Sequence, residues 1–144
     1  MSLVYRFTPP DDAYALLVEA RGLPIVATTT RRMQRCVRAC ILLSWVALEE
    51  GLDHAIELWS HEGRHFGTLP GPLMRRISTV LAEVSRPPID GAQFAKLRKI
   101  GNELTHPRAA VEEPELAVEN ADETFQFCLA AICALFPFRV DCSF

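Results

Sequence analysis

The chain has 144 residues, about one domain by length, and its 49% hydrophobic content is ample for a single core, which excludes wholesale disorder. With 15 basic against 18 acidic side chains, the net charge of −3 argues against a general polyanion binder and leaves room for a local basic site.

The start, MSLVYRFTPPDD, has no long apolar core and turns acidic early, so no secretory signal is expected and the chain reads as cytoplasmic. TPPDDAYALLVEARG predicts a short helix. Prolines precede it, Asp11 and Asp12 sit in its first turn, and Gly22 closes it. LPIVATTT reads as a β-branched connector, with Thr29 or Thr30 as the cap of the next helix. RRMQRCVRACILLSWVALEEGLDHAIELWSHEG predicts one long helix, because Met33, Val37, Cys40, Ile41, Ser44, Leu48, Leu52, Ala55 and Trp59 recur at helical spacing. Leu42, Leu43 and Val46 make its middle apolar nearly all round, as expected of a central helix covered on several sides. Gly51 marks an expected kink or break.

FGTLPGP reads as a loop, LMRRISTVLAEV as a short amphipathic helix, and SRPPIDG as its stop. AQFAKLRKIGNELTH is the next helix, with Phe94, Leu97, Ile100 and Leu104 facing inward. After the connector PRAAVEEPEL, ENADETFQFCLAAICALFPF is the last, with acidic residues where the helix dipole favours them and Pro137 at or beyond its end. Four or five helices, short loops and no convincing strand pair predict an all-α antiparallel bundle. The longest apolar runs, ACILLSWVAL and FCLAAICALFPF, are too short to span a bilayer.

Three constellations bear on chemistry. The five cysteines are odd in number and lack a CxxC; Cys36, Cys40, Cys128 and Cys133 lie in apolar helical runs and read as reduced core thiols. His61, Glu62 and His65 spell H-E-x-x-H, a zinc-protease pattern, but Gly63 lies inside the pair and Gly67, Pro70 and Gly71 come directly after it. A frayed, solvated helix end is the expected reading, with no metal or cofactor. The third is LRKIGNELTHP. On a helical wheel Leu97, Ile100, Gly101 and Leu104 share one side, Lys96, Lys99 and Glu103 the far side, and Arg98, Asn102 and His106 a flank between them. An arginine fork, an orienting amide and an imidazole suit phosphodiester chemistry. The same row also suits a structural role, tying down neighbouring loops.

LRKIGNELTHP resembles the signature helix of HEPN domains, small helical bundles that are often dimeric, and RACILLSWVALEEGLDHAI resembles their long first core helix. The likeness runs from Arg31 to Phe138, so residues 31–144 are expected to form a HEPN-like four-helix bundle and residues 1–30 an N-terminal extension with an extra helix. GNELTH is similar to a branch found beside restriction and other defence enzymes. Active HEPN proteins are metal-independent endoribonucleases whose motif places an arginine directly before the polar residue matched by Asn102. Gly101 stands at that position, and Arg98 lies a turn earlier. The resemblance implies a ribose 2′-hydroxyl attacking its own phosphate, with His106 as acid or base and Arg98 stabilising the phosphate charge. It also implies a homodimer that brings two rows into one cleft, and an antitoxin or defence-system partner. Arg31, Arg32, Arg35 and Arg38 would add RNA contacts, and they read equally as a solvated helix turn. The expected function is thus that of an RNA-associated protein of a bacterial defence or toxin–antitoxin system, with a non-catalytic dimerisation or interaction module as the alternative.

Overall fold

The computed structural model describes residues 5–24, 27–105 and 117–141. Its helices are α1 (Pro10–Gly22), α2 (Ala27–His61), α3 (Leu73–Glu83), α4 (Gly91–Thr105) and α5 (Val118–Leu135). Among the described residues the only strand pairing is a two-residue parallel bridge of Tyr5–Arg6 (β1) on Val140–Asp141 (β2). The fold is all-α. No described helix is long and apolar enough to cross a membrane.

The long helix α2 is the spine, packing against each of the other four helices. Its 35 residues make a rod of about 52 Å. Val37, Cys40, Ile41, Leu48, Leu52 and Ala55 form its buried stripe. Ala13 and Leu17 of α1, Phe125 and Ile132 of α5, Ile77 and Leu81 of α3, and Phe94 and Leu97 of α4 complete the same core. The two buried hydroxyls among the described residues are satisfied within their own helices: Ser44 Oγ donates to the Cys40 carbonyl (2.7 Å) and Thr124 Oγ1 to that of Asn120 (2.8 Å).

Two expectations about α2 are corrected. It begins at Ala27, so Thr29 and Thr30 lie inside the helix and not at its N-cap position. Threonine costs a helix only about 0.7 kcal/mol per residue, and the long rod behind carries the run. The helix also passes unbroken through Gly51. A Cβ there would stand 3.0 Å from Ile132 Cγ1, so this glycine is where α5 approaches closely. The expected cover on several sides is present, since α2 packs against α1, α3, α4 and α5, but one side stays open: Val46 is 46% exposed, with Leu42 and Leu43 half-buried.

Two helix ends share one device. At the end of α2, Gly63 takes a left-handed φ of 87°, Arg64 N–H bonds the Trp59 carbonyl and Gly63 N–H that of Ser60. At the end of α3, Ser85 adopts φ 57°, Arg86 N–H reaches Leu81 and Ser85 N–H reaches Ala82. Both are Schellman terminations. The second one aims Arg86 at the end of α5, where its guanidinium donates to the carbonyls of Ala134 and Phe136. Trp59 Nε1 donates to the Leu135 carbonyl between them (2.7 Å), with the Arg86 guanidinium over its ring at 5.2 Å. The open carbonyls at the end of α5 are thereby satisfied by side chains from α2 and the α3–α4 loop.

Candidate functional site

Helix α4 is set by Asp90, whose Oδ1 accepts from Ala92 N–H (3.0 Å) and Gln93 N–H (3.1 Å) as an N-cap. From that start, Phe94, Leu97 and Gly101 face α2. Opposite them stands Trp45, 3% exposed, edge-on to Phe94 at 5.2 Å between centroids. The indole lies so close to α4 that a Cβ on residue 101 would be 2.9 Å from both its Cδ1 and its Nε1. The absent side chain of Gly101 is thus filled by Trp45. Trp45 Nε1 is buried and, among the described residues, has no hydrogen-bond partner.

Arg98 sits on the flank of α4 as the wheel predicts. Its guanidinium carbon lies 4.9 Å from the centre of the Trp45 ring, and Nη2 donates to Glu49 Oε1 at 3.2 Å. The Arg98 side chain is 29% exposed and that of Glu49 47%. A phosphate arriving at Arg98 would therefore compete with a carboxylate already in place. Asn102 is exposed, and His106 lies outside the described residues. Of the row, Arg98 and Asn102 are described, and they differ in burial: Arg98 is half-buried against Trp45, and Asn102 is exposed.

The basic residues of α2 do not gather around Arg98. Arg31 and Arg35 are exposed and Arg38 half-buried, while Arg32 pairs with Glu19 of α1. Arg35 is about 15 Å along the helix axis from Trp45, and Arg31 about 20 Å.

The histidine pair and the thiols stand apart from this contact. His61 is the last residue of α2, and the left-handed Gly63 turns the chain before His65, so the two imidazoles do not share a helical face; both are exposed. Among the described residues no three His, Cys, Asp or Glu side chains group as metal ligands. Cys36, Cys40 and Cys128 are buried and Cys133 is half-buried, and none of the four is in a disulfide; Cys142 lies outside the described residues. Burial pushes the Cys40 thiol up to about 11 and that of Cys128 higher still, and raises Cys36 as well. None is poised as a nucleophile at neutral pH. A groove of about 600 Å³ opens between the α3–α4 loop and the end of α5, lined mainly by Pro87, Pro88, Ile89, Phe136 and Phe138. It is apolar, and Arg86 within it is committed to helix-end carbonyls.

Two features lie beyond the sequence reading: the Trp45–Gly101 contact and the Arg86–Trp59 clamp. The first leaves a trace. A glycine at an inward position of an apolar stripe implies a bulky neighbour. The second leaves none, since it joins positions far apart in the chain. The chain matches no protein-family model, no curated protein and no solved structure.

Proposed function

We propose that this chain is a HEPN-like helical bundle in which the cleaving arginine's position has been given over to packing, and that it works as a non-catalytic interaction module. The observation that carries this is the seat of Trp45 against Gly101: a Cβ at residue 101 would already stand 2.9 Å from the indole, so no arginine fits there. The nearest substitute, Arg98, is stacked on that indole and paired with Glu49. A residue so engaged stabilises the α2–α4 contact. The partners that fit this reading are a second copy of the chain and a component of a defence or toxin–antitoxin system.

The test is incubation of the purified protein with end-labelled RNA in excess chelator. No cyclic-phosphate ends should accumulate above a blank. Cleavage by the wild type that disappears in a folded His106→Ala variant would overturn the reading and establish an RNA-cleaving site built on Arg98, Asn102 and His106.

A further inference from the structure

The uncovered side of α2 has an order that the core does not use. Arg35, Ala39, Leu42, Val46, Glu49 and Asp53 are spaced by alternating steps of four and three, the spacing of a coiled-coil seam. They lie on the face opposite the buried stripe of Val37, Ser44, Leu48 and Ala55. Apart from Val18, Val46 is the large hydrophobic side chain most open to solvent among the described residues. Charge along this face is sorted by sign. Arg31, Arg35 and Arg38 precede the apolar centre, and Glu49, Glu50, Asp53 and Glu57 come after it. Among the described residues Arg31, Arg35, Glu50, Asp53 and Glu57 form no ion pair within the chain.

We propose that a second copy of this chain packs antiparallel on this face, about a two-fold axis at the level of Ser44; the inference rests on the interaction-module reading and names the surface it uses. The register comes from the sequence. With the axis at residue 44, Leu42 of one copy faces Val46 of the other and Arg35 faces Asp53, while Arg38 stands level with Glu50 and Arg31 with Glu57 across the seam. Two-fold symmetry makes each pair twice. A parallel arrangement would set like charges against each other along the whole seam, so the charge order selects the antiparallel one. Ala39 falls opposite Glu49, where a small side chain leaves the Glu49–Arg98 pair in place. The contact from Arg31 to Glu57 is about 39 Å long. Its apolar centre is short, so its strength depends on the flanking charges and falls with salt.

The experiment is sedimentation equilibrium of the full chain at low and high salt, for wild type, Arg35→Glu, Asp53→Arg and the double variant, with circular dichroism to verify the fold. The wild type should dimerise at low salt and dissociate as salt rises. Each single reversal places like charges in two pairs and should weaken the dimer about ten-fold or more, and the double variant should recover most of that loss. A wild type that stays monomeric at about 100 µM in low salt, well above a micromolar dissociation constant, overturns the proposal. So does a double variant that fails to recover. A dimer indifferent to both reversals overturns this seam but leaves the module reading standing, whereas RNA cleavage overturns that reading whatever the oligomeric state. Labelled RNA titrated into the same set covers the other use of these arginines: RNA bound by a monomeric wild type and released by Arg35→Glu assigns them to RNA and overturns the seam.

Discussion

Gly101→Ala sets two effects of opposite sign against each other. In an open helix interior the change stabilises by about 1 kcal/mol, through helix propensity. Here the new Cβ would stand 2.9 Å from Trp45 Cδ1 and Nε1, well inside an ordinary carbon contact. The indole has little room to yield. It is 3% exposed, meets Phe94 edge-on, and carries the Arg98 guanidinium over its ring. Overpacking of this kind costs about 1–3 kcal/mol. Subtracting the propensity gain leaves a net loss of about 1 kcal/mol, or about 3 °C in Tm for a chain of this size.

Urea unfolding of a double-mutant cycle with Trp45→Phe isolates the contact. Phenylalanine lacks the five-membered ring whose edge meets residue 101, and Trp45 Nε1 gives up no hydrogen bond in the exchange. In the Trp45→Phe background, Gly101→Ala should turn stabilising by about 1 kcal/mol, a coupling of about 2 kcal/mol between the two positions. If Gly101→Ala instead stabilises both backgrounds equally, the contact does not exclude a side chain at 101, and the argument against an arginine there fails with it.

Other expectations concern the helix ends and the core thiols. Arg86→Ala leaves the carbonyls of Ala134 and Phe136 without their donor and strips the cation from Trp59, and should lower stability by about 2–3 kcal/mol in a thermal melt. Arg86→Lys should recover little, since an ammonium does not match the guanidinium fork. Ser85→Gly should stabilise by about 1 kcal/mol, because the φ of 57° is one that glycine adopts freely. Cys40 keeps its proton up to about 11 when folded, against an ordinary thiol value of 9.0. Its contribution is therefore complete below pH 9.0 and is lost as pH rises towards 11, because the unfolded chain ionises first. Urea midpoints across that range should fall for the wild type and fall less steeply for Cys40→Ala, the share of Cys40 being up to about 3 kcal/mol.

What the sequence makes legible here is whatever repeats along a single helix. The inward stripe of α2, from Val37 to Ala55, is readable from its spacing alone, as are Phe94 and Leu97 on α4. The flank position of Arg98 comes from the same wheel, and its half-buried guanidinium agrees with it. Contacts between helices are a different kind of fact. That Gly101 meets Trp45, and that Gly51 meets Ile132, depends on which helix lies against which and at what height, and no periodicity within one segment carries that information. Propensity alone makes Gly51 a break, whereas in the folded chain it serves close approach.

The uncovered face of α2 shows how the two kinds of fact combine. Leu42, Leu43 and Val46 make the helix apolar nearly all round, which predicts a central helix covered on several sides but not which side stays open. The other helices leave the side bearing Val46 without cover. Once that side is known, the order of charges on either end of it, plain in the sequence itself, acquires a meaning: arginines before the apolar centre and carboxylates after it are complementary to the same face turned end for end. A helix that served solely as an internal spine would have no reason to sort its outer charges in this way.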